Sequence, residues 1–294
     1  MSAVDGNSVV VGVDGSEHSK EALRVAANVA AKRGLRLKIV HALDFAPYGF
    51  GGPYIDAGGV FEWIEASGKS ILSDAVEAAR ERKPDLDIEA EMSIGNSSQW
   101  LVELSETARV VVIGASGVGA ATTALLGNNT LSVTTHAHCP VVVVRGEIRP
   151  EGPVVVGVDG SPTSARAVAV AFEEASLREV PLVAVHIWSD LGSHTFEDPR
   201  AAALVPGRIE DEEHAVLAEA LAGWQDQYPN VEVKRKVYID NPRARLLEWS
   251  KKAQIVVVGS RGRGGFRSML LGSTSNSLIS HADCPVVVVR PEPN

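Results

Sequence analysis

The residues best placed to do chemistry lie in two glycine-rich patterns. Gly114-Ala115-Ser116-Gly117 is followed, after nine residues beginning with Val118, by Gly127-Asn128-Asn129. Gly259-Ser260-Arg261-Gly262 is followed, after nine residues beginning with Arg263, by Gly272-Ser273-Thr274. Each pattern comes after an apolar run and before a helical one. Backbone N–H groups can crowd an anion where side chains are absent and φ is unrestricted, which is how phosphate chains are held. The last glycine opens a helix, whose unpaired N–H groups and dipole add to the attraction. Asn128 or Ser273 can cap that helix or bond a phosphate oxygen. The competing reading is that these glycines only make turns; a matched spacing in two places favours the phosphate cradle.

Two acids accompany the glycines. Asp14 and Asp159 each end a first strand within a VVVGVDGS segment, Val9–Ser16 and Val154–Ser161. They can be turn aspartates, helped by Gly15 and Gly160, or side chains beside a ligand, and the two roles are compatible. Gly12 and Gly157 of the same segments join the candidate ligand contacts. The second loop carries Arg261, Arg263 and Arg267; the first, with Ser116 and Val118 at the first two of these places, carries no cation. Charge-assisted bonds are roughly twice as strong as neutral ones, so a polyphosphate is expected to bind the second loop more tightly and with more salt dependence.

Other constellations are weaker. Gly68-Lys69-Ser70 resembles the end of a P-loop, but Trp63 stands where the earlier glycine is required and the segment reads as helical. Gly117-Val118-Gly119 lacks the third glycine of a dinucleotide fingerprint, and the expected acidic ribose partner is missing. His41 and His186 fall in corresponding apolar runs, yet no Ser or Cys nucleophile has a recognisable elbow, so no catalytic residue is assigned and a structural or ligand-adjacent histidine is expected. No histidine or cysteine spacing matches a metal site. Cys139 and Cys284 precede Pro-Val-Val-Val-Val runs and are expected to be buried thiols. His136 and His281 are expected at helix C-termini, where positive charge is favourable.

These residues are held by a repeat. An offset of 145 residues carries Val9 onto Val154, His41 onto His186, Gly114 onto Gly259, Gly127 onto Gly272, and HAHCPVVVVR (His136–Arg145) onto HADCPVVVVR (His281–Arg290), with no gap. The period is too long for a solenoid, so each copy is a domain: 1–147 and 152–294, joined by a short linker from Gly146 to Gly152. In the first copy the patterning predicts strands over Ser8–Val13, Leu35–Leu43, Leu86–Ile94, Val110–Ile113 and Val141–Val144. Helices are predicted over Ser16–Arg33, Phe61–Arg82, Ser97–Thr107 and Gly127–His136. Asp44–Val60 and Ser189–Gly207 read as long loops after the second strand of each copy. Alternating apolar strands and helices imply a parallel sheet covered on both faces. Ligands of such sheets bind at the carboxyl ends of the strands where the order reverses.

Composition narrows the function classes. A net charge of −9 and a pI near 5.4 argue against a nucleic-acid surface. No apolar run approaches the ~18 residues that span a bilayer, and the polar Met1–Asn7 lacks the features of a signal peptide. A cytoplasmic protein without membrane insertion is expected.

The strand-end Asp followed by G-x-x-G, nine residues and G-(Ser/Asn) resembles the ATP-binding signature of universal stress proteins. The resemblance covers nearly the whole chain, twice, like the tandem form of mycobacteria and their relatives. It implies two Rossmann-like (adenine nucleotide alpha hydrolase-like) α/β domains, each a five-stranded parallel sheet in order 3-2-1-4-5 with helices on both faces. It implies ATP as ligand, with or without Mg2+. Adenine would lie near Asp14 and Ala42, and near Asp159 and Ile187. Ribose and phosphates would lie on Gly114, Gly117, Gly127 and Asn128, and on Gly259, Gly262, Gly272 and Ser273. It further implies domain pairing, often through the last strand, which leaves a homodimer and an unidentified protein partner open. The leading expectation is a regulatory ATP-binding module of a stress or dormancy response. The alternative is a slow ATP hydrolase or phosphotransferase.

Overall fold

Valine runs such as Val9–Val11, Val110–Val112 and Val141–Val144 have no polar alternation, so both faces of each strand must be covered. All three are buried in the computed structural model, which describes residues 6–43, 57–117, 126–188, 206–263 and 270–291. The chain divides into two units, Met1–Arg145 and Gly146–Asn294.

Unit 1 runs β1 (Ser8–Gly12), α1 (Glu17–Arg33), β2 (Arg36–Leu43), α2 (Ala57–Arg82), β3 (Ile88–Ile94), α3 (Ser97–Leu104), β4 (Val110–Gly114), α4 (Asn128–His136) and β5 (Val141–Val144). Its strands lie in the order β3-β2-β1-β4-β5, and every adjacent pair is parallel. Unit 2 runs β6 (Val154–Val158), α5 (Pro162–Arg178), β7 (Leu182–Trp188), α6 (Pro206–Leu221), α7 (Trp224–Gln227), β8 (Val233–Ile239), α8 (Pro242–Ser250), β9 (Ile255–Gly259), α9 (Ser273–His281) and β10 (Val286–Val289). Its order is β8-β7-β6-β9-β10, again parallel. Both units thus have the 3-2-1-4-5 order. The order reverses between β1 and β4, and between β6 and β9, so the two glycine loops and the two aspartate turns meet at those points.

Local chemistry sets the element ends. Ser16 caps α1 by accepting the Ser19 N–H at 3.2 Å, and Ser161 caps α5 by accepting the Ser164 N–H at 3.1 Å. The apolar face of α1 (Ala22, Leu23, Ala26, Val29 and Ala30) is buried against the sheet. Its C-cap, Gly34, takes φ 62°. The equivalent residue in unit 2 is Glu179, at φ 57° and without glycine's freedom. A left-handed non-glycine residue costs roughly 1–2 kcal/mol, partly offset by the unfolded-state entropy of glycine. Glu179→Gly is therefore expected to stabilise unit 2 by about 0.5–1 kcal/mol. A denaturant midpoint shifted the other way would show that Glu179 makes a compensating contact.

Three expectations are corrected. Helix α2 starts at Ala57 and α6 at Pro206, so the ends of both anticipated loops are helical. Gly58 and Gly59 lower helix propensity without breaking a helix of this length. The remainder of those loops, residues 44–56 and 189–205, lies outside the described residues. Second, α3 stops at Leu104 rather than Thr107, because Ser105 closes it with a tighter turn to Val102. Third, the segment expected as a linker packs on unit 2. Glu147 N–H donates to Asp283 O at 2.9 Å, Arg149 Nη1 donates to Asp283 O at 3.0 Å, and Gln254 Nε2 donates to Pro150 O at 2.8 Å.

Both cysteines are free and buried. Burial pushes the Cys139 thiol up to about 12, which makes it inert at neutral pH. Among the described residues no helix is long and apolar enough to cross a membrane.

Candidate functional site

Asp14 leaves β1 half-buried at the carboxyl edge of the sheet. Its Oδ1 accepts from the Ser16 N–H at 3.0 Å and from the Ser16 hydroxyl at 2.6 Å. Asp159 Oδ1 accepts the Ser161 N–H at 2.9 Å in the same way. Its other oxygen, Oδ2, accepts the Arg263 N–H at 2.9 Å. Asp159 is thus both a turn aspartate and a clasp that ties the second glycine loop to the strand-one turn.

The glycines are absent side chains for different reasons. A Cβ on Gly114 would stand 2.9 Å from His18 Cβ and 3.0 Å from the His18 backbone, where the first turn of α1 presses on the loop. On Gly259 it would stand 3.0 Å from Thr163 Cγ2. On Gly117 it would meet Asp14 Oδ2 at 2.5 Å, and on Gly262 it would meet Asp159 Oδ2. Gly12 and Gly157 lie under Leu101 and Leu246, each 3.2 Å from the added carbon. These six glycines have packing reasons within the protein. Gly127 has none among the described residues: its nearest neighbour there would be Thr130 Oγ1 at 3.4 Å, an ordinary contact, and its φ of −67° suits any residue. Gly272 is tighter, with Ser260 O at 3.3 Å.

The helices after the loops begin differently from the expectation. Gly127 and Gly272 are the N-caps, and neither helix has a side-chain cap. Of the two roles expected for Asn128 and Ser273, capping is corrected: both are first helical residues, and both are exposed. A residue inside the first turn carries its side chain past the N–H groups it would need to reach. Two hydroxyls not anticipated from sequence brace the loops instead. Thr130 Oγ1 donates to Gly114 O at 2.9 Å, and Ser275 Oγ donates to Gly259 O at 2.6 Å. Among the described residues the N-termini of α4 and α9 have no side-chain cap, and the first N–H groups of a helix have no partner within it.

The remaining candidates are placed as follows. Ala115, Ser116 and Ser260 are buried within the loops, and Arg261 is half-buried. Asn129 turns aside to donate to Ser97 Oγ at 2.8 Å, and Thr274 is half-exposed. Ala42 and Ile187 sit half-exposed near the carboxyl ends of β2 and β7. Val118 and Arg267 lie outside the described residues. Both repeated histidines brace the aspartate turns: His41 Nδ1 lies 2.7 Å from Val13 O, and His186 Nδ1 lies 2.7 Å from Val158 O. His186 Nε2 also pairs with Glu213 of α6, whereas Gly68 of α2 occupies the equivalent place in unit 1 and abuts His41. Gly68-Lys69-Ser70 is confirmed as helical.

The universal stress protein family model matches twice, over residues 7–145 and 152–290. A universal stress protein of Mycobacterium tuberculosis is 43% identical over 299 aligned positions, covering 97% of each chain. A second from the same organism is 41% identical, covering 99% of this chain and 97% of its own. The chain belongs to the universal stress protein family. A crystal structure of a universal stress protein from Archaeoglobus fulgidus shares the fold, with a TM-score of 0.70 at 21% identity and 97% of both chains covered.

Within this tandem universal stress protein the two loops differ electrostatically. Arg166 Nη1 donates to Arg290 O at 2.6 Å, which brings helix α5 to the end of β10. The Arg290 guanidinium is held below its usual range, first by burial and then by the charge of Arg261. Three arginines therefore gather at the carboxyl edge of unit 2, where unit 1 has Glu21, Ser116 and Arg145. Arg290 was legible as the end of the CPVVVVR repeat, but only strand order brings it beside the loop. Among the described residues no group of three or more His, Cys, Asp or Glu could hold a metal ion.

Proposed function

We propose that each unit binds one adenine nucleotide, ATP in the first instance, at the carboxyl edge of its sheet, and that the protein acts as a nucleotide-dependent regulatory module in a stress response within the cytoplasm. The observation that carries this reading is Gly127. It opens a helix with no side-chain cap, no neighbour among the described residues requires it to lack a side chain, and a phosphate approaching the backbone would. Gly114 and Gly117 in unit 1, and Gly259, Gly262 and Gly272 in unit 2, shape the rest of the cradle. Ala42 and Ile187 are assigned to the adenine side. The nucleotide supplies the negative charge that these N–H groups and the arginines of unit 2 complement.

Regulation rather than turnover fits the carboxylates. Asp159 spends both oxygens on backbone N–H groups, and Asp14 holds Ser16. Neither is placed as a general base for phosphoryl transfer, which needs a positioned nucleophile or base. A ligand regulates only by binding one conformation better than another.

The test is the nucleotide content of the purified chain, released by denaturation and identified by mass. Close to two ATP per chain is expected. ADP in place of ATP would favour hydrolysis and call for turnover assays with Mg2+. No nucleotide, together with no binding of added ATP, would make the loops structural turns and sink the proposal.

A further inference from the structure

The two positions around the first loop glycine exchange their chemistry between the copies. In unit 1, α1 contributes His18 to this place and the loop contributes Ser116, with His18 Nδ1 3.3 Å from Ser116 Oγ. In unit 2, α5 contributes Thr163 and the loop contributes Arg261. The places correspond in space as well as in sequence. The carbon built on Gly114 stands 2.9 Å from His18 Cβ, and that on Gly259 stands 3.0 Å from Thr163 Cγ2. Each copy thus has one basic side chain and one hydroxyl at the junction of helix and loop, with their owners swapped.

We propose that His18 is the unit 1 counterpart of Arg261, a basic group of the phosphate side that can gain a proton where arginine always carries one, so that unit 1 takes a nucleotide more tightly at lower pH while unit 2 does not. The inference rests on the nucleotide-binding reading above. Imidazole is the side chain whose charge ordinarily changes between about pH 5 and 8, whereas guanidinium stays charged. Neutral His18 can accept the Ser116 hydroxyl proton at Nδ1. Once protonated, both ring nitrogens are donors, so Nδ1–H donates to Ser116 Oγ and the hydroxyl hydrogen is released for a phosphate oxygen. The ring gains a positive charge beside the anion at the same time.

Other charges surround this turn. Asp14 stands on the β1 turn, Glu17, Lys20 and Glu21 on α1 itself, His41 on β2, Asp74 on α2 and Arg145 after β5. Glu17 is engaged by Lys20 at 2.6 Å, Glu21 by Arg24 at 2.8 Å, and Asp14 by Ser16. His41 faces Val13 O rather than the loop. His18 itself is in contact with a loop side chain, Ser116.

The experiment is calorimetric titration of the full chain with ATP, after removal of carried-through nucleotide, at about pH 6 and about pH 8. One class of site is expected to bind about five- to tenfold more tightly at the lower pH, the size of one charge-assisted bond weakened by the partial exposure of His18. His18→Gln should abolish that shift and leave the other class unchanged. His18→Thr installs the residue that unit 2 already accommodates at this place, and should do the same if the glutamine variant folds poorly. Retention of the wild-type shift in a folded His18 variant overturns the proposal, as does a wild type that binds two nucleotides with no pH-dependent class. Absence of ATP binding at both pH values overturns the nucleotide reading itself, a different result from either of these.

Discussion

Replacing Gly127 by alanine is expected to leave unit 1 folded, with its stability changed by less than about 1 kcal/mol, because poorer N-capping by alanine offsets the lower entropy of the unfolded chain. The same substitution is expected to weaken ATP binding in unit 1 by about 10- to 100-fold. That is the loss of one charge-assisted bond to a backbone N–H, roughly 1.5–3 kcal/mol. Gly114→Ala provides the contrast. Its added carbon would stand 3.0 Å from the His18 backbone, and a backbone cannot swing aside as a side-chain tip can. Overpacking of this kind typically costs about 1–3 kcal/mol, so Gly114→Ala should lower stability whether or not a ligand is present. Titration with ATP alongside denaturant unfolding separates the two, with unit 2 as an internal reference. An unchanged affinity in a folded Gly127→Ala variant would mean that no phosphate approaches that backbone.

Asp159→Ala is expected to reduce the stoichiometry from two tightly bound nucleotides to one at moderate ATP concentration. The carboxylate accepts the Ser161 and Arg263 N–H groups, and its loss frees the loop from the strand-one turn. Hydrogen bonds to charged groups contribute about 1.5–3 kcal/mol each, less where partly exposed. An affinity loss of tenfold or more in unit 2 is therefore expected. Hydrogen exchange at the Arg263 amide should accelerate in the free protein, a readout that a direct ligand contact alone would not move. Asp159→Asn keeps one acceptor oxygen but sets its NH2 against the other N–H donor, so it should lose one of the two bonds and fall between the wild type and Asp159→Ala. If Asp159→Ala left Arg263 exchange unchanged while affinity fell, the clasp would be the wrong description and the carboxylate would be a ligand contact only.

The loop glycines show what sequence reading can and cannot reach. Spacing identifies Gly114, Gly117 and Gly127 as one pattern because the copies match. It assigns all three the same physical reason, room for an anion. The structure separates them: the first makes room for α1, the second for the Asp14 carboxylate, and only the third has no partner among the described residues that excludes a side chain. Asn128 and Ser273 illustrate the same limit, since a one-residue difference in where a helix begins turns a cap into an exposed first residue. The unanticipated residues, His18, Thr130, Arg166 and Ser275, reach the site from other elements or from the far side of a helical turn. Their sequence distance from the loop carries no signal of contact.

The sequence by itself determined the tandem repeat, the alternation of strands and helices, the buried valine strands and the family, because these depend on local periodicity and on matched spacing within one chain. The tertiary structure alone decided which glycines serve packing, which carboxylate oxygen ties the loop, and which cations stand beside it. Those depend on strand order and on the approach of α1 and α5 to the loops, where contacts of a few ångströms join residues about a hundred positions apart.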